Sequence, residues 1–160
     1  MMKLNTLMDA VKGAVERGFP GVPVYTDYLP KDFKRPSFAL ECRKEETADL
    51  NIALVKRTVT VALTCLEAVN DYGDSSREAL NGRMDALEDL FARGYLQVED
   101  RAVQVQTNRG TGNPEFAEVQ AVLTWTDQRP GWHDPEDPDD PVSAGVPLME
   151  DYQLTVTTKE

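Results

Sequence analysis

Soft metal ligands are scarce in this sequence: one histidine, His133, and two cysteines, Cys42 and Cys65. A four-ligand zinc site built from cysteine and histidine is therefore excluded within one chain. There is no GxxxxGK[ST] phosphate loop and no GxGxxG after a strand, so nucleotide chemistry has no support. Lys and Arg number 17 against 28 Asp and Glu, a net charge of −11, which disfavours a basic nucleic-acid-binding surface. No apolar run approaches the roughly 20 residues that cross a bilayer. Met1-Met2-Lys3-Leu4-Asn5 leads straight into spaced apolar residues, without the continuous stretch of a signal peptide. The expectation is a cytosolic protein with reduced cysteines and no membrane contact.

What the sequence does contain is an ordinary globular balance, 41% apolar and 28% charged over 160 residues, enough for one hydrophobic core. Leu4, Leu7, Met8, Val11, Ala14 and Val15 recur at helical spacing and predict a helix over Asn5–Arg17. Gly18 is expected to end it in the left-handed conformation, with Phe19 folding back on the stripe. Pro20 and Pro23 force extended chain around Val22, Val24 and Tyr25, which fits a short edge strand. Phe38, Leu40 and Cys42 alternate with polar neighbours as one strand, and Val59, Val61, Leu63 and Cys65 as a second, over Arg57–Leu66. Lys44–Asn51 between them reads as a polar hairpin connection. Both cysteines fall in the apolar phase, as small core residues.

Ser75 with Glu78 has the spacing of a capping box, and Leu80, Met84, Leu87, Leu90 and Phe91 carry a second helical stripe up to Gly94. Leu96, Val98, Val103 and Val105 read as a short hairpin, Thr107–Pro114 as a loop, and Val119, Ala121, Leu123 and Trp125 as a strand. Tyr152, Leu154 and Val156 alternate again. The prediction is a single α+β domain: a mixed or antiparallel sheet packed by two α-helices, with a long acidic Pro-rich loop and a C-terminal strand. Residues 1–129 form the body, 130–151 the acidic insertion, and 152–160 a strand of the same domain. The insertion holds five prolines and seven acids with no Lys or Arg, so −7 of the −11 lies there.

Nothing in these elements assembles a catalytic site. An EF-hand begun at Asp134 meets Asp139 where glycine is needed and Gly145 where the bidentate glutamate belongs. A Cys–His pair would require a cysteine to leave a buried strand face, and a serine triad has only His133, inside a loop, as its base. Glu45-Glu46 reads as a solvated surface, and Gly110 and Gly112 as turn residues. Catalytic, cofactor-binding and metal residues are assigned to none of the chain. Trp132, after Pro130-Gly131, has two open readings: an interface anchor on the loop, or a ring tucked back on the domain.

Phe19-Pro20-Gly21-Val22-Pro23-Val24-Tyr25-Thr26 directly after the first helix, Asp27 beyond it, and then Phe33-Lys34-Arg35-Pro36-Ser37-Phe38, resemble the N-terminal pattern of phage tail terminator proteins from phages and prophages of Gram-positive bacteria. The likeness continues in element order to about residue 125, though only the first 40 or so carry specific residues. The acidic insertion departs from the family pattern, whose closing strand near Thr126 is followed by a short tail. The resemblance implies a non-enzymatic virion protein of the tail or neck, assembled in the bacterial cytoplasm. Six copies would form a ring on the head-proximal end of the tail tube, stop its growth, and dock the head-completion or stopper protein. DNA would pass through the lumen without specific binding.

In that setting the loop Leu29–Pro36, with Phe33, Lys34 and Arg35, is an expected contact surface, an aromatic among basic residues on an acidic chain; its alternative is a plain solvated loop. Trp132 and the acids Asp137, Asp139 and Asp140 are the other expected contacts, some acids facing the lumen, where they would repel phosphate. The competing readings are another neck protein, such as a stopper or adaptor, and a small ligand-binding module.

Overall fold

The structure, a computed structural model, describes residues 1–26, 28–110, 112–134 and 136. Two helices, α1 (Leu4–Gly18) and α2 (Arg77–Leu90), pack on a sheet of six strands. These are β1 (Val24–Thr26), β2 (Ser37–Asp49), β3 (Leu54–Leu66), β4 (Tyr95–Val98), β5 (Arg101–Arg109) and β6 (Ala117–Gln128), in the spatial order β1-β2-β3-β6-β5-β4. Only β1 and β2 run parallel, so the sheet is mixed and the domain is α+β, as its patterning predicts.

The core is the inner face of the sheet under the two helical stripes. Leu7, Val11, Ala14 and Val15 of α1 and Leu80, Met84 and Leu87 of α2 cover Phe38, Leu40, Val59, Val61, Leu63, Cys65, Val103, Val119, Ala121 and Leu123. Each such side chain, fully buried, contributes about 1.5–3 kcal/mol of transfer free energy before entropy is subtracted. The Phe19 and Phe38 rings meet at 4.8 Å, so Phe19 does fold back on the core. Burial pushes the Cys65 thiol up to about 12, which keeps it protonated and inert. Cys42 is only half-buried, lining an open groove with Leu4, Met8 and Leu40.

Several local expectations are corrected. Gly18 does not take the left-handed conformation; Gly21 does, at φ 79°, and the helix is capped by the Phe19 N–H donating to the Val15 carbonyl. Glycine at 18 instead makes room for Leu90: a Cβ there would lie 2.8 Å from Leu90 Cδ1, so the end of that side chain would have to turn aside. The N-cap of α2 is Ser76, whose hydroxyl accepts from the Ala79 N–H, and not Ser75. Ser75 is occupied elsewhere, its hydroxyl donating to the Glu67 and Glu115 carbonyls at 3.5 Å and its N–H to the Pro114 carbonyl. β5 runs on through Thr107, Asn108 and Arg109, which pair with Ala121, Gln120 and Val119, so the loop begins at Gly110.

The largest correction is Lys44–Asn51. The charged run is not a connection: β2 continues to Asp49, paired against Val55–Thr60 of β3, and the turn is only Leu50–Ala53. A register shift between Cys42 and Lys44 changes the side-chain phase. Lys44 and Glu46 then pair with each other at 2.8 Å, and Glu45 forms an ion pair with Arg57. β1 pairs only with Phe38–Leu40, so the rest of β2 is an edge without a strand beside it among the described residues. Its charges are what keeps such an edge from pairing indiscriminately. The expected C-terminal strand and most of the acidic insertion lie outside the described residues.

Candidate interaction surfaces

The strands run between two ends, each organised by one arginine. At the first, the loops 28–36, 67–75 and 112–116 come together. Arg35 Nη1 donates to the carbonyls of Glu67 at 2.8 Å and Glu115 at 3.0 Å, tying the three loops to one cation. Its guanidinium lies 5.2 Å from the Phe33 ring centre, within cation–π range. The Lys34 N–H donates to the Tyr25 hydroxyl at 3.1 Å. Beneath, Arg83 pairs with Glu67 and lies 5.5 Å over both Phe19 and Phe38. Asn70 Oδ1 accepts from the Tyr72 and Asp74 N–H groups and fixes the neighbouring loop. What this frame presents to solvent is Tyr28 (89% exposed), Leu29, Val69 and Tyr72 (90%).

The expected contact residues divide accordingly. Lys34 is exposed, while Phe33 and Arg35 are half-buried and turned to internal contacts with each other and with main-chain carbonyls. Beside this loop, an open groove of about 250 Å³ is lined by Tyr25, Tyr28, Leu29, Ala39 and Leu40, with Glu41 among its polar lining.

At the second end the β2–β3 hairpin tip presents Leu50 (52% exposed), Ile52 (73%) and Leu54 (36%). The tip is not loose. Asn51 Oδ1 accepts from the Ala53 and Leu54 N–H groups at 2.9 and 2.8 Å. Arg129 grips it from β6: its N–H donates to the Ala53 carbonyl at 2.7 Å, Nε to the Ile52 carbonyl at 3.1 Å, and Nη2 to Asp49 Oδ1 at 2.8 Å. Trp132 is half-buried in the turn that follows, its N–H donating to the Arg129 carbonyl at 3.0 Å. Asp137, Asp139 and Asp140 lie outside the described residues.

Under this tip lies a buried polar cluster. Asp127, 3% exposed, accepts from Trp125 Nε1 at 2.8 Å and from the Met2 N–H at 3.1 Å, and pairs with Arg101. Arg57, 7% exposed, donates to the Met2 carbonyl at 3.1 Å, pairs with Glu45 and lies 5.4 Å from the Trp125 ring centre. Burial pushes the Asp127 carboxyl up, but the hydrogen bonds from Trp125 and Met2, with Arg101, outweigh it and hold the group below its ordinary value. The cluster fastens the N-terminus across the sheet.

No three His, Cys, Asp or Glu side chains among the described residues stand close enough to hold a metal ion. No helix among them is long and apolar enough to cross a membrane. The hairpin tip escaped the sequence reading because Lys44-Glu45-Glu46 reads as loop. The available signal was Leu50, Ile52 and Leu54 standing at alternate positions beside it.

The fold is an α+β domain that exposes apolar side chains at both ends of its sheet. The family model for phage tail terminator proteins matches residues 6–120 of the chain. The chain belongs to the phage tail terminator family, and its role is that of a structural component of the phage tail. No curated protein matches it.

Proposed function

We propose that the protein is the tail terminator proper: six copies form a ring on the head-proximal end of the tail tube, end its polymerisation, and offer the docking surface for the head-completion or stopper protein. The observation that carries this is the family match across most of the domain, from α1 into β6. A domain with two differently built contact ends suits a ring that must meet its neighbours, a tube and a neck. The proposal includes no catalytic step and no cofactor, assembly in the host cytoplasm, and a place in the tail or neck of the virion. A host among Gram-positive bacteria rests on the sequence resemblance.

Ring closure by rotation is a heterologous contact, one patch on each copy meeting a different patch on the next. A stable contact of this kind buries more than about 1,000 Å² in total. The exposed residues of the 28–36 loop, Lys34 among them, belong to the contact surface, with Phe33 and Arg35 shaping it from within. Trp132 and the segment carrying Asp137, Asp139 and Asp140 supply a further partner contact. Acids facing the lumen let DNA pass without adhering.

The test is tube growth. Tail tube protein polymerised with this protein present should give tubes that stop lengthening, with the protein at one end only. Tubes of unaltered length with bare ends would reject the proposal.

A further inference from the structure

The hairpin tip and the groove beside β1 are unlike patches at opposite ends of the same strand. From Leu40 to Asp49 of β2 is roughly 30 Å at the rise of an extended chain. The hairpin is paired along its length through Asp49 and Val55, so a chain cannot fold its own tip back into its own groove.

We infer that in the ring the tip of one copy, Leu50, Ile52 and Leu54, seats in the groove formed by Tyr25, Tyr28, Leu29 and Leu40 of the next copy. This rests on the ring proposed above and names the contact that closes it. The tip is apolar, protruding and already ordered by Asn51 and Arg129, so little freedom is lost when it docks. The groove is mostly apolar in its lining and open, and two exposed apolar side chains, Tyr28 and Leu29, stand on it. Knob and groove are the two unlike patches a heterologous contact needs.

Charge agrees. Lys56, two residues beyond Leu54 on the same hairpin, is in no ion pair among the described residues, and Glu41, which lines the groove, is 61% exposed and held by Arg43 of its own strand through one oxygen at 3.2 Å, a surface pair that a neighbouring cation can share. The edge of β2 between tip and groove, which has no strand beside it among the described residues, is studded with Arg43, Lys44, Glu45 and Glu46, which disfavours joining copies by simple sheet extension and favours the tip as the contact.

The experiment is a disulfide trap. The double variant Ile52→Cys/Leu29→Cys is oxidised under the conditions in which the wild type forms rings, alone or on tube ends. Cys65 is buried and Cys42 half-buried, and the wild type serves as the control for both. The inference expects a ladder of covalent oligomers reaching the size of the ring. The two single variants mixed should stop at dimers, and each alone should give none. In parallel, Ile52→Asp should keep its thermal midpoint and lose ring assembly.

Rings without a ladder would overturn the tip-to-groove contact. So would dimers from Ile52→Cys alone as abundant as the ladder, which would mean tip meets tip. Ile52→Asp rings that form normally but no longer join tube or neck would assign the tip to another protein and leave the ring standing. A wild type that never forms a ring, even on tube ends, would remove the ring reading itself.

Discussion

The two ends of the sheet are held by different chemistry. At the loop end, Arg35 gathers three loops by donating to two main-chain carbonyls, and the ordered surface it builds displays tyrosines. At the hairpin end buried and exposed carboxylates join main-chain carbonyls as supports: Asp127 under Trp125, Met2 and Arg101, and Asp49 beside the Ile52 and Ala53 carbonyls under Arg129. Carbonyls do not titrate, whereas carboxylates do. The comparison teaches that the two surfaces of one small domain can be loosened separately by different substitutions, and that acid reaches the hairpin end through Asp127.

The sharpest way to break the comparison is at Asp127. Asp127→Ala leaves Arg101 without its buried partner and frees the Trp125 and Met2 donors, a change that should cost about 3–5 kcal/mol. Chemical denaturation should show it as a lower midpoint at unchanged slope; a loss below 1 kcal/mol would mean the cluster is solvated.

Acid should act on the same place. The folded-state carboxyl of Asp127 is held low, so its stabilisation is present above the unfolded value near 3.9 and is lost as pH falls through the folded value. The thermal midpoint of Asp127→Asn should therefore fall less steeply between pH 5 and about pH 2 than that of the wild type. Parallel curves would show that other carboxylates dominate.

Arg35→Ala removes the cation that two carbonyls share and should cost about 1.5–3 kcal/mol, with faster amide exchange in 28–36, 67–75 and 112–116. Exchange at the hairpin tip should stay unchanged. Gly18→Ala should change stability by less than about 1 kcal/mol, because the end of Leu90 can turn aside and alanine favours the helix, without favouring either end. Smallest in stability are Ile52→Ser and Tyr72→Ser, each within about 0.5 kcal/mol because both side chains are exposed. Their difference should appear in assembly: Ile52→Ser weakens the ring, while Tyr72→Ser leaves it intact.

Much of this fold was legible in the sequence because burial imposes a period. The α1 stripe from Leu4 to Val15, the α2 stripe from Leu80 to Phe91, and the alternation Val119 to Trp125 each reported one buried face. Legibility failed where both faces of a strand are wet. Lys44–Asp49 carries charge on either side, so no alternation marks it as β, and only its partner Val55–Thr60 and the bulge after Cys42 make it a strand. The cap of α2 went to Ser76 because two adjacent serines offer the same chemistry, and the Ser75 hydroxyl is turned to the carbonyls of Glu67 and Glu115.

The contact surfaces were half legible. The 28–36 loop stood out by its composition, yet the partners that turn Arg35 inward are carbonyls 32 and 80 residues away, which side-chain identity does not encode. The hairpin tip was hidden by the charges that precede it, and the grip of Arg129 on it is likewise a main-chain affair.

One measurement bears most directly on the central claim: the mass of the purified protein in solution by light scattering, alone and with its tail tube, together with negative-stain images. The account predicts rings of about six copies, or a cap of that size on one end of each tube, as expected of a closed heterologous assembly. A monomer that leaves tube ends bare and growing would contradict it.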